Sequence, residues 1–112
     1  MSEIEQIFNA LTKFRDQRNW MQFHNAKDLA LALSIEAAEL NELFLWKSKE
    51  EIPDVDVEKV GEELADILAF AFLIAEKYNF DIKEIMLNKI QKNAIKYPIG
   101  KSKNKADKYT NL

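Results

Sequence analysis

Apolar residues recur every three or four positions along most of the chain, which predicts an all-α fold. In the first segment Ile4, Phe8 and Leu11 follow this spacing, and Ser2 with Glu5 forms the pattern of a helix-capping box. The last segment stops before Pro98, because the residue before a proline avoids helical geometry. The four predicted helices span about residues 2–18, 26–47, 57–78 and 82–97.

The second and third predicted helices are apolar on most of their faces, and the connecting segments are short and polar. A helix that is apolar nearly all round has to be buried on several sides. We therefore predict a four-helix bundle that oligomerises through its helices. Residues 1–98 are predicted to form the helical domain, and the lysine-rich residues 99–112 an extended or mobile tail.

The composition excludes several classes of protein. The chain has 112 residues with 47% hydrophobic and 31% charged residues, which is typical of one globular domain. It has no cysteine and one histidine, so zinc sites of the usual kind are not expected. A net charge of −3 disfavours a nucleic-acid partner. No apolar run is long enough for a membrane span and no signal peptide is apparent, so the expected location is the cytoplasm.

Two pairs of acidic residues lie within these apolar helices, at the same spacing in both. Glu36 and Glu39 form the first pair, and Glu63 and Asp66 the second. Residues three apart share a face of a helix, where like charges repel and their burial is costly. A divalent cation held between facing helices would compensate these charges. Because all four ligands are carboxylates, the predicted ion is Mg²⁺, with Mn²⁺ as a possible substitute.

The fourth helix and a group of aromatic residues supply two further candidate sites. Lys89, Asn93 and Lys96 form one polar stripe that ends at Tyr97, which suits the binding of phosphate groups. Aromatic side chains can stack on a nucleobase, worth about 1–3 kcal/mol. The candidate base-binding residues are Trp20, Phe23, His24 and Trp46.

In combination, these features resemble the MazG-like all-α nucleoside triphosphate pyrophosphohydrolases, and most of all their dCTP pyrophosphatase branch. The family's metal motif is Glu-x-x-Glu followed by Glu-x-x-Asp, which here corresponds to Glu36, Glu39, Glu63 and Asp66. The segments that carry the resemblance are Arg18–His24, Leu29–Trp46, Glu62–Leu68, Lys89–Asn93, Lys96–Pro98 and Lys108–Thr110. This chain has Ile35, Phe70 and Lys96 where many relatives have Glu, Tyr and Arg.

The resemblance implies Mg²⁺-dependent cleavage of the bond between the α and β phosphates of a nucleoside triphosphate, dCTP or a modified dCTP, in nucleotide pool cleansing. It implies that Glu36 or Glu39 assists the attacking water, and that the protein is a homodimer or homotetramer. Two alternatives remain open. The substrate can be a broader set of nucleotides, dUTP or phosphoribosyl-ATP, or the chain can be a non-catalytic helical module that uses its acids for assembly.

Overall fold

The regular structure is entirely helical in the computed structural model, which describes residues 1–112. Its α-helices are α1 (Glu3–Gln17), α2 (Ala26–Glu42), α3 (Val57–Lys77), α4 (Ile82–Lys96) and α5 (Ile99–Ser102). Three short 3-10 turns cover Met21–Phe23, Ile52–Asp54 and Tyr109–Asn111. The prediction of an all-α fold with four long helices is confirmed. The short α5 was not predicted.

Polar residues fix where the long helices begin. The Ser2 hydroxyl accepts a hydrogen bond from the Glu5 amide at 3.1 Å, and the Glu5 carboxylate accepts one from the Ser2 amide at 3.2 Å. This is the reciprocal capping box that the sequence predicts, and it satisfies two amides that have no partner within the helix. The side chains of Asn25, Asp56 and Asp81 cap α2, α3 and α4 by accepting hydrogen bonds from amides of the first turn, without the reciprocal bond.

The predicted end of the second helix, near residue 47, is wrong, because α2 ends at Glu42. The amides of Leu43 and Phe44 bond the carbonyls three residues back, which tightens the backbone into turns. Trp46 consequently does not lie on a helix. It adopts a left-handed conformation with φ 61°, which costs roughly 1–2 kcal/mol for a non-glycine residue. Its side chain is 91% exposed.

The prediction of an extended tail after residue 98 is also wrong, while its mobility stays a prediction. The tail contains α5 and a final 3-10 turn, and Tyr109 in that turn contacts the end of α4. The Tyr109 ring lies edge-on to Tyr97 with the ring centroids 5.9 Å apart, and the Lys96 ammonium is 5.0 Å from its centre. Tyr109, the one aromatic residue of this segment, therefore connects the tail to the end of α4.

The chain forms two compact units, Met1–Asn79 and Phe80–Leu112. The first contains α1, α2 and α3, and the second contains α4, α5 and the C-terminal turn. That residues 1–98 and 99–112 act as separate parts of the protein stays a prediction. None of the helices combines the length and apolar character that a membrane crossing needs.

In the first unit α3 packs along α2 and also contacts α1. Leu29 of α2 and Leu73 of α3 are almost completely buried. Phe8 of α1 stacks on Phe72 of α3 with 5.0 Å between the ring centroids. The packing of α2 against α3 is what brings the acidic residues of the two helices together.

Candidate active site

Carboxylates from α2 and α3 form a cluster where the two helices pack. Glu36 and Glu39 lie one turn apart on α2, and Glu63 faces them from α3. One oxygen from each of the three lies within 4.8 Å of the other two. Asp66 is outside this group of oxygens, but it lines the same cavity as Glu36. The structure thus brings together three of the four predicted metal ligands and places the fourth beside them.

The charges of this cluster are not compensated by basic side chains. No salt bridge of the structure involves Glu36, Glu39 or Glu63, and one oxygen each of Glu36 and Glu63 is buried without a hydrogen-bond partner. Burial and the closeness of Glu39 and Asp66 raise the pKa of Glu36 from 4.5 to about 7. Burial and then the charge of Glu39 likewise raise the pKa of Glu63.

This donor set suits a metal ion. Hard divalent cations bind carboxylate oxygens, and the two buried oxygens without partners are available for that purpose. A bound cation would remove the repulsion that raises these pKa values. The cluster can therefore hold a metal ion between α2 and α3, as the sequence predicts for carboxylates on facing helices.

A cavity of about 250 Å³ adjoins the acids. Glu36 and Asp66 line it together with Trp20 and His24, and the rest of its wall consists of Arg15 and the apolar or aromatic residues Leu11, Phe14, Ala69, Phe70 and Leu73. Ligand pockets usually start at about 300 Å³, so this cavity has the size for a flat ring rather than for a whole nucleotide. It combines an apolar, aromatic surface with a small number of polar groups.

The turn after α1 positions the aromatic wall of this cavity. The amides of Arg18 and Trp20 both donate to the carbonyl of Arg15, and Asn19 adopts a left-handed conformation with φ 53°. The chain therefore turns back at the end of α1, and Trp20 packs edge-on against Phe14 with 5.7 Å between the ring centroids. The Arg18 guanidinium carbon is 3.7 Å from the centre of the Phe14 ring.

Only two of the four candidate base-binding residues lie at the cavity. Trp20 and His24 line the cavity, whereas Phe23 and Trp46 do not and are 62% and 91% exposed. Burial, followed by the nearby charges of Arg15 and Lys77, lowers the pKa of His24, so its imidazole is neutral at pH 7. Base binding by all four residues stays a prediction.

The candidate phosphate-binding residues lie in the second compact unit. Lys89, Asn93 and Lys96 are exposed on α4, and Tyr97 follows its last turn. The Tyr97 amide donates to the Asn93 carbonyl at 2.8 Å, and Lys96 is held against Tyr109 as described above. Their role stays a prediction.

Sequence reasoning missed Arg15, which is the one buried charged residue and is 5% exposed. Its Nη1 donates to Glu76 at 2.7 Å, and its Nε donates to Asp16 at 2.8 Å. The hydrogen bond to Asp16, more than any other contact, raises its pKa above the ordinary value. A signal was present, because Phe8, Leu11 and Arg15 continue one apolar face of α1 and put a cation on it.

Comparison with known proteins identifies the family. The model of the MazG-like family matches residues 31–112, which is most of the chain. The chain belongs to the MazG-like family. It is 35% identical over 97% of its length to dCTP pyrophosphatase 1 of Mus musculus and 37% identical over 97% to that of Bos taurus, covering 67% and 68% of those proteins.

A solved structure agrees with this assignment. A pyrophosphatase from Archaeoglobus fulgidus matches with a TM-score of 0.83 and 35% identity, over 88% of this chain and 94% of that one. The prediction of a MazG-like fold and of a nucleotide pyrophosphohydrolase enzyme is confirmed by these comparisons.

Proposed function

We propose that this MazG-like protein is a dCTP pyrophosphohydrolase, which cleaves dCTP or a modified dCTP to the monophosphate and pyrophosphate. The observation that carries this proposal is the cavity shared by Trp20, Glu36 and Asp66, since it sets an aromatic surface beside a carboxylate cluster that suits a metal. A base in the cavity would leave its triphosphate near the acids. The relatives that are dCTP pyrophosphatases support the choice of cytosine.

The metal ion proposed for the cluster is Mg²⁺, which Mn²⁺ can replace, because all the ligands are carboxylates. Glu36, Glu39 and Glu63 would hold it, and Asp66 would complete the set from α3. When bound, the ion neutralises negative charge on the phosphate oxygens and makes water more acidic. The carboxylate oxygen of Glu36 or Glu39 that does not hold the ion would take the proton of the attacking water.

The reaction breaks one bond of the triphosphate, and residues of the chain would bind the substrate on both sides of it. The oxygen of water forms a bond to the α phosphorus while the bond from that phosphorus to the bridging oxygen breaks, and the pyrophosphate leaves with the electron pair. Lys89, Asn93, Lys96 and Tyr97 would bind the triphosphate, with lysine supplying charge and asparagine a directed hydrogen bond. Trp20 and His24 would hold the base, while Phe23 and Trp46 would contact it from outside the cavity.

The test of this function is the hydrolysis of a panel of ribo- and deoxyribonucleoside triphosphates with Mg²⁺. Pyrophosphate and orthophosphate are assayed separately, because only cleavage between the α and β phosphates gives pyrophosphate. We expect dCMP and pyrophosphate from dCTP. Preferred release from dUTP or phosphoribosyl-ATP would reassign the substrate, and no release from any nucleotide by the folded protein would contradict the proposal.

We also propose that the protein is a homodimer or homotetramer. Leu31 and Ile35 form an exposed stripe on α2 and are 56% and 50% exposed, and Leu64 and Leu68 form another on α3 at 47% and 50%. Large side chains in such stripes normally mark a protein interface. A second copy of this chain is the proposed occupant, because the stripes lie on the two helices whose apolar character predicts burial on several sides.

Sedimentation equilibrium tests this assembly. The wild-type protein should sediment as a dimer or tetramer, and Leu31→Glu should weaken association by about 100-fold or more, because each of two copies loses about 1.5–3 kcal/mol of apolar burial. Ile99→Glu is the control, since Ile99 is 81% exposed and lies on α5, outside α2 and α3. A monomeric wild-type protein would contradict the proposal.

A further inference from the structure

Arg15 lies in the wall between two cavities of the first unit. The larger cavity is the one beside the acids, and a smaller one lies behind it. Arg15 and His24 line both, whereas Glu76 and Lys77 line only the smaller one. One of the two carboxylates bonded to Arg15, that of Glu76, therefore lies at the smaller cavity, while Arg15 also borders the cavity that we propose for the base.

This guanidinium is fixed but not saturated. Its bonds to Glu76 on α3 and to Asp16 use two of its five N–H groups, which leaves three for other partners. A guanidinium held by two carboxylates cannot rotate freely, so its planar edge is already oriented when a ligand arrives. Fixed donors of this kind recognise a pair of acceptors that lie side by side.

The residues around Arg15 offer few other polar groups to a base. Leu11 and Phe70 are apolar, and His24 has one ring nitrogen, Nδ1, buried without a partner. Arg15 is the one cation in the lining of the larger cavity that stays charged at every physiological pH. The other charged groups of the lining are the carboxylates of Glu36 and Asp66, which the proposed metal ion would occupy, so Arg15 is the charged group left to contact the base.

We propose that Arg15 is a specificity-determining residue, whose guanidinium donates to the adjacent O2 and N3 acceptors of cytosine. Among the common bases, cytosine alone has two adjacent hydrogen-bond acceptors, O2 and N3, on its Watson–Crick edge. Uracil and thymine carry an N3–H donor there, which would face the donors of Arg15 without a partner. This inference rests on the proposed function and names the group that gives it a preference for cytosine.

The first test needs no substitution. The wild-type protein is assayed for kcat/KM with dCTP, dTTP, dGTP and 3-deaza-dCTP, in which a C–H replaces the N3 acceptor. We expect dCTP to be preferred over dTTP and over 3-deaza-dCTP by about 10- to 100-fold, the range for a bidentate contact to a base. Equal values for dCTP and 3-deaza-dCTP would overturn the proposal, as would a preference for dGTP.

The second test removes the ion pair as a whole. The double variant Arg15→Met/Glu76→Met avoids leaving one buried charge alone, and such a replacement is often neutral for stability. We expect its preference for dCTP over dTTP and 3-deaza-dCTP to fall to about 1, while pyrophosphate release continues. Arg15→Lys keeps the charge beside Glu76 but loses the planar fork, and should lower the same preference. Lys77→Met is the control, because Lys77 borders only the smaller cavity.

The outcomes separate base reading from a purely structural role. If Arg15 only ties α1 to α3, the double variant will melt at a different temperature but keep its preference for dCTP, and the proposal fails. If the wild-type protein cleaves dCTP and dTTP equally well, Arg15 loses its role while the hydrolase function stands. If it releases pyrophosphate from no nucleotide, the proposed function fails and this inference fails with it.

Discussion

Replacing Glu39 by glutamine is expected to lower pyrophosphate release by about 10³-fold or more. Glu39 contributes one of the three clustered carboxylate oxygens, and glutamine is nearly the same size but carries no negative charge. A site that loses one charged ligand holds a divalent cation less well and positions it less accurately. A loss of about 4 kcal/mol of transition-state stabilisation corresponds to this change in rate.

The measurement is kcat and KM for dCTP at several Mg²⁺ concentrations. Part of the lost activity should return at high Mg²⁺ if the variant binds the ion weakly. Glu58→Gln is the matched control, because it is the same substitution on α3. Glu58 lies in the first turn of that helix and is not one of the clustered carboxylates. Full activity in Glu39→Gln would show that the cluster is not the catalytic centre.

The fold was largely predictable because each helix carries its own local signals. Ser2 fixes the start of α1, Asp81 the start of α4 and Pro98 the end of α4, and each acts on backbone groups only a few residues away. The end of α2 was not predictable in this way, because the apolar pattern continues to Trp46 although the backbone turns after Glu42. The tail was misread because its lysine-rich composition gives no sign of α5 or of the contacts that Tyr109 makes with Lys96 and Tyr97.

The candidate site was partly predictable for a related reason. Acids within apolar helices are costly wherever the helices lie, so Glu36, Glu39 and Glu63 could be singled out before their positions were known. The partner of Arg15 could not, because Glu76 lies 61 residues away in sequence and on another helix. The cavity could not be predicted from the sequence either, because residues of α1, α2, α3 and the turn at Trp20 line it together.

Without metal, the protein is expected to lose stability as the pH rises from about 4.5 to about 7. In the folded chain the pKa of Glu36 is raised from 4.5 to about 7, so the folded state keeps a proton that the unfolded state has released. The folded state is therefore favoured at pH values below 4.5, and this advantage is gone above about 7. The raised pKa of Glu63 acts in the same direction.

The full shift of Glu36 would amount to about 3 kcal/mol, but water screens a half-buried group, so we expect about 1–2 kcal/mol. For a domain of this size that lowers the melting temperature by roughly 5–10 °C between pH 4.5 and 7.5. Melting in the presence of a chelator measures it. Glu36→Gln is the control, since its side chain does not titrate and most of the decrease should disappear.

Mg²⁺ should reverse this loss at pH 7.5 and have less effect near pH 5. A proton and the ion compete for the same carboxylates, so the ion binds best where Glu36 is ionised, and binding to the folded state alone raises its stability. The melting temperature should therefore rise with Mg²⁺ at pH 7.5 in the wild-type protein and rise less in Glu39→Gln. An equal rise in both proteins would mean that the ion binds elsewhere. The repulsion that destabilises the empty cluster is, on this account, the same property that makes it a metal site.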